Sequence, residues 1–515
     1  MSSETHQNNN DTIDTINNSK KIGFWSFSVL LVVTIYVLNN GIQVFYQMGY
    51  ASITYVILAI IIFFLPYTFM VTEMASAFHK HEGGIFSWMQ ASVGLRFSAG
   101  VTFLWYLSWI ALLFTVGGIF CVTLSAAFTG GNASANWHIG SLSNAGTIAI
   151  ISCIYLVLIT FLTRKGIKQV SFFANISIIA LIGIHILIIG GSAVFLFAHH
   201  GHFMQGFQFN KVSSYFYGPN KSYDNFGEAL GFGVFAFFIL GGMETGAGLI
   251  DKVKNPQKTA PKAMLMATFF IAGLYLVVIT LTGLTINWNQ TFGTVNSANL
   301  LSFQVFYTNS EFSNLALALG FTHIQAVHIG HIATMIVNWL TLITILNLPY
   351  QIYFPIKQTF EGLPKGMLPK FILKRNSHGM LENVLWIQLV FTVVIILLLG
   401  FGGSDTNKFF NITMDMLNLS ATLPWALIIY AYIKFKLNDK IVKRYTFFNK
   451  KWGVIIGIIS FIALNIVNLD FAITPFFEHQ VSQGVWQLVG PIIFALLGIV
   501  VAQIYLIKRK SNPNL

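Results

Sequence analysis

Twelve apolar stretches, most of them about 20 residues or longer, run almost end to end along this chain, and no other feature restricts its fold so tightly. They lie near 24–46, 51–77, 97–128, 146–163, 168–198, 227–251, 263–286, 322–356, 383–402, 407–433, 453–470 and 486–507. A helix needs about 20 apolar residues to cross roughly 30 Å of hydrocarbon. In lipid a lone segment must satisfy its own backbone hydrogen bonds, so runs of this length are helices. The expected class is therefore all-α integral membrane, with about twelve transmembrane helices. Composition agrees: only 9% of residues are charged and 55% are hydrophobic, whereas a soluble domain carries roughly 25% charge.

The formal net charge of +12 raises the question of nucleic acid, and the distribution of that charge answers it. With the N-terminus inside, every one of the 29 Lys and Arg residues except Lys211, Lys221 and Lys408 falls on the cytoplasmic side. That is the positive-inside pattern of a multi-pass protein of a cell (inner) membrane. It predicts an even span count and two cytoplasmic termini, and it accounts for the basic character with lipid as partner and no nucleic acid. The run from Lys434 to Lys451 is expected to meet anionic headgroups. The polar segment 1–21 is expected to be a disordered cytoplasmic tail, and 509–515 a short cytoplasmic one. The apolar run from Phe24 is too long for a signal-peptide core and lacks an Ala-x-Ala exit. Sequons at Asn132, Asn289 and Asn411 carry no weight in so Asn-rich a chain. Cys121 and Cys153 each sit in an apolar segment and read as packing residues.

Two spans contain residues that fit a membrane helix poorly. In the first, Leu38-Asn39-Asn40-Gly41-Ile42-Gln43 puts three amides and a glycine among apolar neighbours. In the sixth, Phe237-Phe238-Ile239-Leu240-Gly241-Gly242-Met243-Glu244 puts a glycine pair and a carboxylate there. Irregular backbone is tolerated at membrane depth only inside protein or around water. Interruptions in spans one and six, which run in opposite directions, suggest two inverted repeats of five helices with binding at their interface. Unwinding frees N–H groups suited to a carboxylate and carbonyls suited to an ammonium, and an amino acid presents both. The other reading is that Gly241, Gly242, Gly246 and Gly248 only allow close helix packing.

Loop motifs carry a resemblance. Glu73-Met-Ala-Ser-Ala, His81-Glu-Gly-Gly-Ile-Phe-Ser-Trp88 and Gly94-Leu-Arg-Phe97 resemble the span two to three region of amino acid–polyamine–organocation permeases. Within that superfamily the pattern is most similar to the glutamate/GABA antiporter family. Gly241-Gly-Met-Glu244, followed by Asp251-Lys-Val-Lys-Asn255-Pro256-Gln-Lys258-Thr-Ala-Pro261, resembles the superfamily's sixth span and the loop after it. Phe45-Tyr46-Gln47-Met48-Gly49-Tyr50 resembles the YjeM-like branch. The resemblance covers nearly the whole chain. It implies a first repeat at 22–198 (helices 1–5), an external loop at 199–226, a second repeat at 227–435 (helices 6–10) and two further helices in 436–508, with discontinuous helices 1 and 6 and alternating access. It also implies substrate contacts at Asn39, Asn40, Gly41 and Ile42 and at Phe238, Ile239, Leu240, Gly241 and Gly242. Phe238 stands where relatives place an aromatic that closes over substrate, and Glu244 matches a gating carboxylate. This chain has Asn-Asn-Gly where many relatives show Gly-Ser-Gly, which implies a narrower or more polar pocket. It stops shortly after Lys510, so no C-terminal regulatory plug is expected, and an acid-resistance role is not implied.

Other polar residues fill out the expectation. His185 lies deep in span five, where an ionisable group is a coupling candidate, and its position resembles that of a lysine in proton-coupled relatives; the alternative is a neutral, hydrogen-bonded ring. Tyr46 is read with Trp105, Tyr106 and Trp109 as lining the solute path and as a gating residue. Asp415 faces the cavity or pairs locally. His323, His328 and His331 read as interfacial rather than metal-binding, and Asn338 and Asn347 as hydrogen bonders within the bundle. No nucleotide-binding motif is present, so ATP-driven transport is disfavoured. The predicted function is a secondary active transporter of an amino acid or related amine, by proton coupling or exchange, with no cofactor and no metal. A polyamine or organic-cation transporter is the near alternative, and a multi-span membrane enzyme the distant one.

Overall fold

The computed structural model describes residues 22–79, 83–208, 210–293, 302–402, 406–443 and 445–511. Eleven helices among them are long and apolar enough to cross a membrane, and the pair Phe24–Ile35 and Leu38–Met48, bent by 41°, makes a twelfth span. In chain order, span 1 is that pair and span 2 is Ala51–Ala77. Spans 3, 4 and 5 are Leu95–Thr129, Asn144–Thr163 and Ile167–Ala198. Span 6 is Phe226–Leu240 plus Met243–Lys252, and span 7 is Pro256–Thr285. Span 8 is His323–Phe360, and span 9 is Glu382–Phe401. Spans 10, 11 and 12 are Thr406–Leu437, Lys450–Phe477 and Val481–Ser511. Every one coincides with an expected apolar stretch. The expected tail at 1–21 and His81 and Glu82 of the loop motif lie outside the described residues, as do the side chains of Asp251 and Asp415.

The two broken spans are the first of each set of five, and five spans apart they run in opposite directions. Spans 3, 6 and 10 are central: 72%, 67% and 67% of their apolar windows are buried, against 28% and 22% for spans 11 and 12. Leu398, Ile462, Leu469 and Val500 stay exposed on the outside of the bundle, as side chains facing lipid do.

Local chemistry explains the irregular points. Pro66 cannot donate to the carbonyl of Ile62 four residues earlier. Span 2 passes through a π-helical turn at Ile60–Phe64, and Ser460 of span 11 donates to that freed carbonyl at 2.6 Å. Glu73, wholly buried near the end of span 2, accepts from the backbone N–H groups of Phe447 (2.7 Å) and Phe448 (2.9 Å) and pairs with Lys436 of span 10 at 2.7 Å. The motif residue thus clamps spans 2 and 10 and the loop between spans 10 and 11. Gly83 has φ +86°, and a Cβ there would overlap the Gly362 backbone. Its motif therefore presses the short helix Gly84–Ser92 against the end of span 8. Before span 1, Ile22 donates its backbone N–H to the Lys252 carbonyl at 2.8 Å and accepts from the Lys254 N–H at 2.9 Å, tying the start of span 1 to the end of span 6.

On the face opposite the chain ends, Trp288–Phe292 and Phe303–Ala318 form two short helices between spans 7 and 8. The second packs on spans 5 and 8. Cys121 and Cys153 are free thiols.

Candidate functional site

Span 1 opens at Tyr36 and Val37, whose backbones are extended, a turn earlier than the Asn-Asn-Gly stretch suggests. The cause is a pair of side chains from other spans. In a continuous helix the Val37 N–H would donate to the Val33 carbonyl. Instead it donates to the Tyr275 hydroxyl of span 7 at 3.2 Å, and the Val33 carbonyl accepts from Asn347 Nδ2 of span 8 at 3.0 Å. Both orphaned backbone groups are capped, as membrane depth requires. Gly41 serves packing instead. A Cβ there would press on Tyr275 and Val278 at 3.2 Å, so the glycine admits span 7. The second half-helix begins at Leu38 without a side-chain cap; the Asn40 N–H donates to the Val37 carbonyl at 3.1 Å, and those of Leu38 and Asn39 are left available.

Span 6 opens at Gly241 and Gly242, as the glycine pair suggests. Gly242 has φ +112°, a left-handed conformation suited to glycine. At Gly241 a Cβ would fall inside the Trp425 ring. The second half is a ten-residue 3-10 helix, long for its kind. Gln358 of span 8 supports it by donating to the carbonyl of Glu244 at 3.1 Å.

Between the two openings lies a cavity of about 850 Å³. Asn39, Asn40, Phe238, Ile239, Gly241, Gly242, Glu244 and Tyr46 line it. Gly41, Ile42 and Leu240 do not: they turn into the protein, and Ile42 and Leu240 are wholly buried. The helical repeat decides this, since neighbours in a helix cannot all face one side. Asn39 accepts from the Gln304 backbone N–H at 3.1 Å, and Gln304 donates to Thr341 at 2.7 Å, so helix Phe303–Ala318 rests directly on the span 1 opening. Tyr46 lies beneath the same cap, its ring 4.5 Å from that of Phe303 and stacked on Trp288.

Glu244 is 1% exposed at the floor of the cavity. Its Oε1 accepts from the indoles of Trp105 and Trp425, both at 2.9 Å, and its Oε2 from Tyr67 at 3.1 Å. Of the span 3 aromatics, Trp105 and Trp109 reach the cavity, while Tyr106 turns away to bond Gln388 at 2.5 Å. His185 stands one layer behind the wall. Its Nε2 is 2.8 Å from the Tyr36 hydroxyl, and its Nδ1 is 2.8 Å from the Leu181 carbonyl. Tyr36 packs on Tyr275 with ring centroids 4.7 Å apart. Tyr36, Tyr275, Gln304 and Trp425 carried no distinguishing mark in the sequence, each being a single residue in an ordinary stretch. Asn338 and Asn347 bond within the bundle and also line the cavity. No group of three His, Cys, Asp or Glu among the described residues is placed to hold a metal.

Twelve spans enclosing a central cavity, its largely apolar wall set with side-chain amides, between two broken, oppositely directed helices define a membrane transporter. The chain belongs to the amino acid permease family, whose sequence profile matches residues 22–502. It is 29% identical over 508 residues to the inner membrane transporter YjeM of Escherichia coli, covering 96% of this chain and 98% of that one. It is 23% identical over 414 residues to a glutamate/gamma-aminobutyrate antiporter of Lactococcus lactis, covering 78% and 73%. The crystal structure of a manganese transporter from Eremococcus coleocola shares the fold, with a TM-score of 0.54 at 13% identity over 93% of this chain and 94% of that one. Each of these proteins bears the name of a transporter or antiporter, and none that of an enzyme.

Proposed function

We propose that this chain is a secondary active transporter of an amino acid or a closely related amine, working by alternating access. The observation that carries the reading is the meeting of two opened helices at one cavity. The uncapped N–H groups of Leu38 and Asn39 offer a site for a carboxylate. The C-terminal end of the first half of span 6, where Ile239 lines the cavity, offers a carbonyl oxygen to an ammonium. Asn39, Asn40, Phe238, Ile239, Gly241 and Gly242 are the contact residues in this reading, backed by Gly41, Ile42 and Leu240. Membership in the amino acid permease family and the name of the Lactococcus antiporter support the substrate class.

Transport is coupled to protons or to exchange, with His185 as the coupling group acting through Tyr36 on the span 1 opening. Glu244 holds the floor, and Tyr46 the roof. The repeats are 22–198 and 227–435, and both termini lie in the cytoplasm, as the distribution of Lys and Arg supports. The test is purified protein in liposomes, screened against labelled amino acids and amines with and without an imposed pH gradient. The expected result is saturable flux or exchange of at least one of them. An absence of flux across the whole panel, from correctly inserted protein, would remove the proposal.

A further inference from the structure

The cavity is rich in carboxamides and poor in charge. Among the described residues that line it there is no Lys, Arg, His or Asp, and Glu244 is the one carboxylate. Both oxygens of that carboxylate already accept, from Trp105, Trp425 and Tyr67. In contrast, Gln43 of span 1, Gln351 of span 8 and Asn418 of span 10 present side-chain amides to the cavity with no hydrogen bond to the described protein. Two oxygens on lining amides, Asn347 Oδ1 and Gln47 Oε1, are buried and unpartnered, and Asn347 is only 2% exposed. Buried polar atoms without partners are costly and rare, so the wall around the cavity carries unmet hydrogen-bonding capacity.

We propose that the transported amino acid has an uncharged polar side chain, with a carboxamide of the glutamine or asparagine type fitting best. This rests on the reading of the cavity as an amino acid site. An acidic side chain would enter a low-dielectric space with no cation to meet it, and a basic one would find a carboxylate whose oxygens are taken. The first leaves a charge unpaired, at a heavy cost, and the second has to share a carboxylate that already holds three hydrogen bonds. An amide both donates and accepts, so it matches surrounding amides without any net charge to compensate.

Glutamine and glutamate are nearly isosteric and differ in charge, which makes them the discriminating pair. The full chain is reconstituted in liposomes, and labelled glutamine uptake is competed with glutamine, asparagine, glutamate, lysine, leucine and putrescine. Glutamine or asparagine should compete on the order of a hundredfold better than glutamate or lysine, as an unpaired buried charge dictates. Equal or better uptake of glutamate, lysine or putrescine, or uptake confined to leucine, would overturn the inference while leaving the transporter reading intact. If neither glutamine nor any other amino acid or amine moves, both fall. As a second arm, Gln43→Lys and Gln351→Lys each place a cation in the cavity, and at least one should shift the glutamate-to-glutamine uptake ratio upward by about tenfold or more. Folded variants, judged by a single symmetric gel-filtration peak, with an unaltered ratio would count against it.

Discussion

The side-chain amide of Asn347 donates to the backbone carbonyl of Val33 across 3.0 Å. The carbonyl is free because its helical partner, the Val37 N–H, is held by Tyr275. Two side chains from neighbouring spans therefore do what the helix would otherwise do for itself, and the opening of span 1 is a product of packing.

If those caps hold the opening in place, Asn347→Leu leaves the Val33 carbonyl unsatisfied at a cost of about 1–3 kcal/mol. Uptake should fall by tenfold or more, with normal membrane insertion. Tyr275→Phe, which removes the partner of the Val37 N–H, should act in the same direction. Wild-type uptake rates in both variants would show that the opening does not depend on them.

The His185 pair predicts a pH effect. Its Nδ1 faces a carbonyl, which can only accept, so in the neutral ring Nδ1 carries the hydrogen and Nε2 accepts from Tyr36. On protonation Nε2 becomes a donor and Tyr36 must accept, so Tyr36 loses its donor role as pH falls through the titration of the ring. Uptake measured across pH should show a step in the wild type that is flattened in His185→Gln and equally in Tyr36→Phe. An unchanged profile in either variant separates proton coupling from this pair.

A third expectation concerns stability. Glu73 and Lys436 are 0% and 1% exposed and 2.7 Å apart. Glu73→Ala leaves the ammonium buried without its counter-charge, which should cost about 3–5 kcal/mol. Adding Lys436→Met removes the stranded charge and should recover part of that loss. Thermal unfolding in detergent measures both. A single variant as stable as the wild type would mean that the clamp between spans 2 and 10 contributes nothing.

Much of this protein was legible because lipid imposes one-dimensional rules. A span must be about 20 apolar residues long, so the order of hydrophobic residues alone set the number and limits of the spans. A glycine pair such as Gly241 and Gly242 marks an opening by its own backbone freedom. The motif residues Glu73 and Gly83 were legible as motifs, but their structural roles were not, since their partners Lys436 and Gly362 lie hundreds of residues away. The same distance hid the opening of span 1. Asn39, Asn40 and Gly41 drew attention as polar or small residues in an apolar run. The actual break came earlier, at Tyr36 and Val37, because Tyr275 and Asn347 take over the backbone bonds there. Hydropathy settles which residues lie in the membrane. Which of them face one another, and which hydrogen bonds are exchanged for others, depends on helix rotation and packing, and only the tertiary structure decides that.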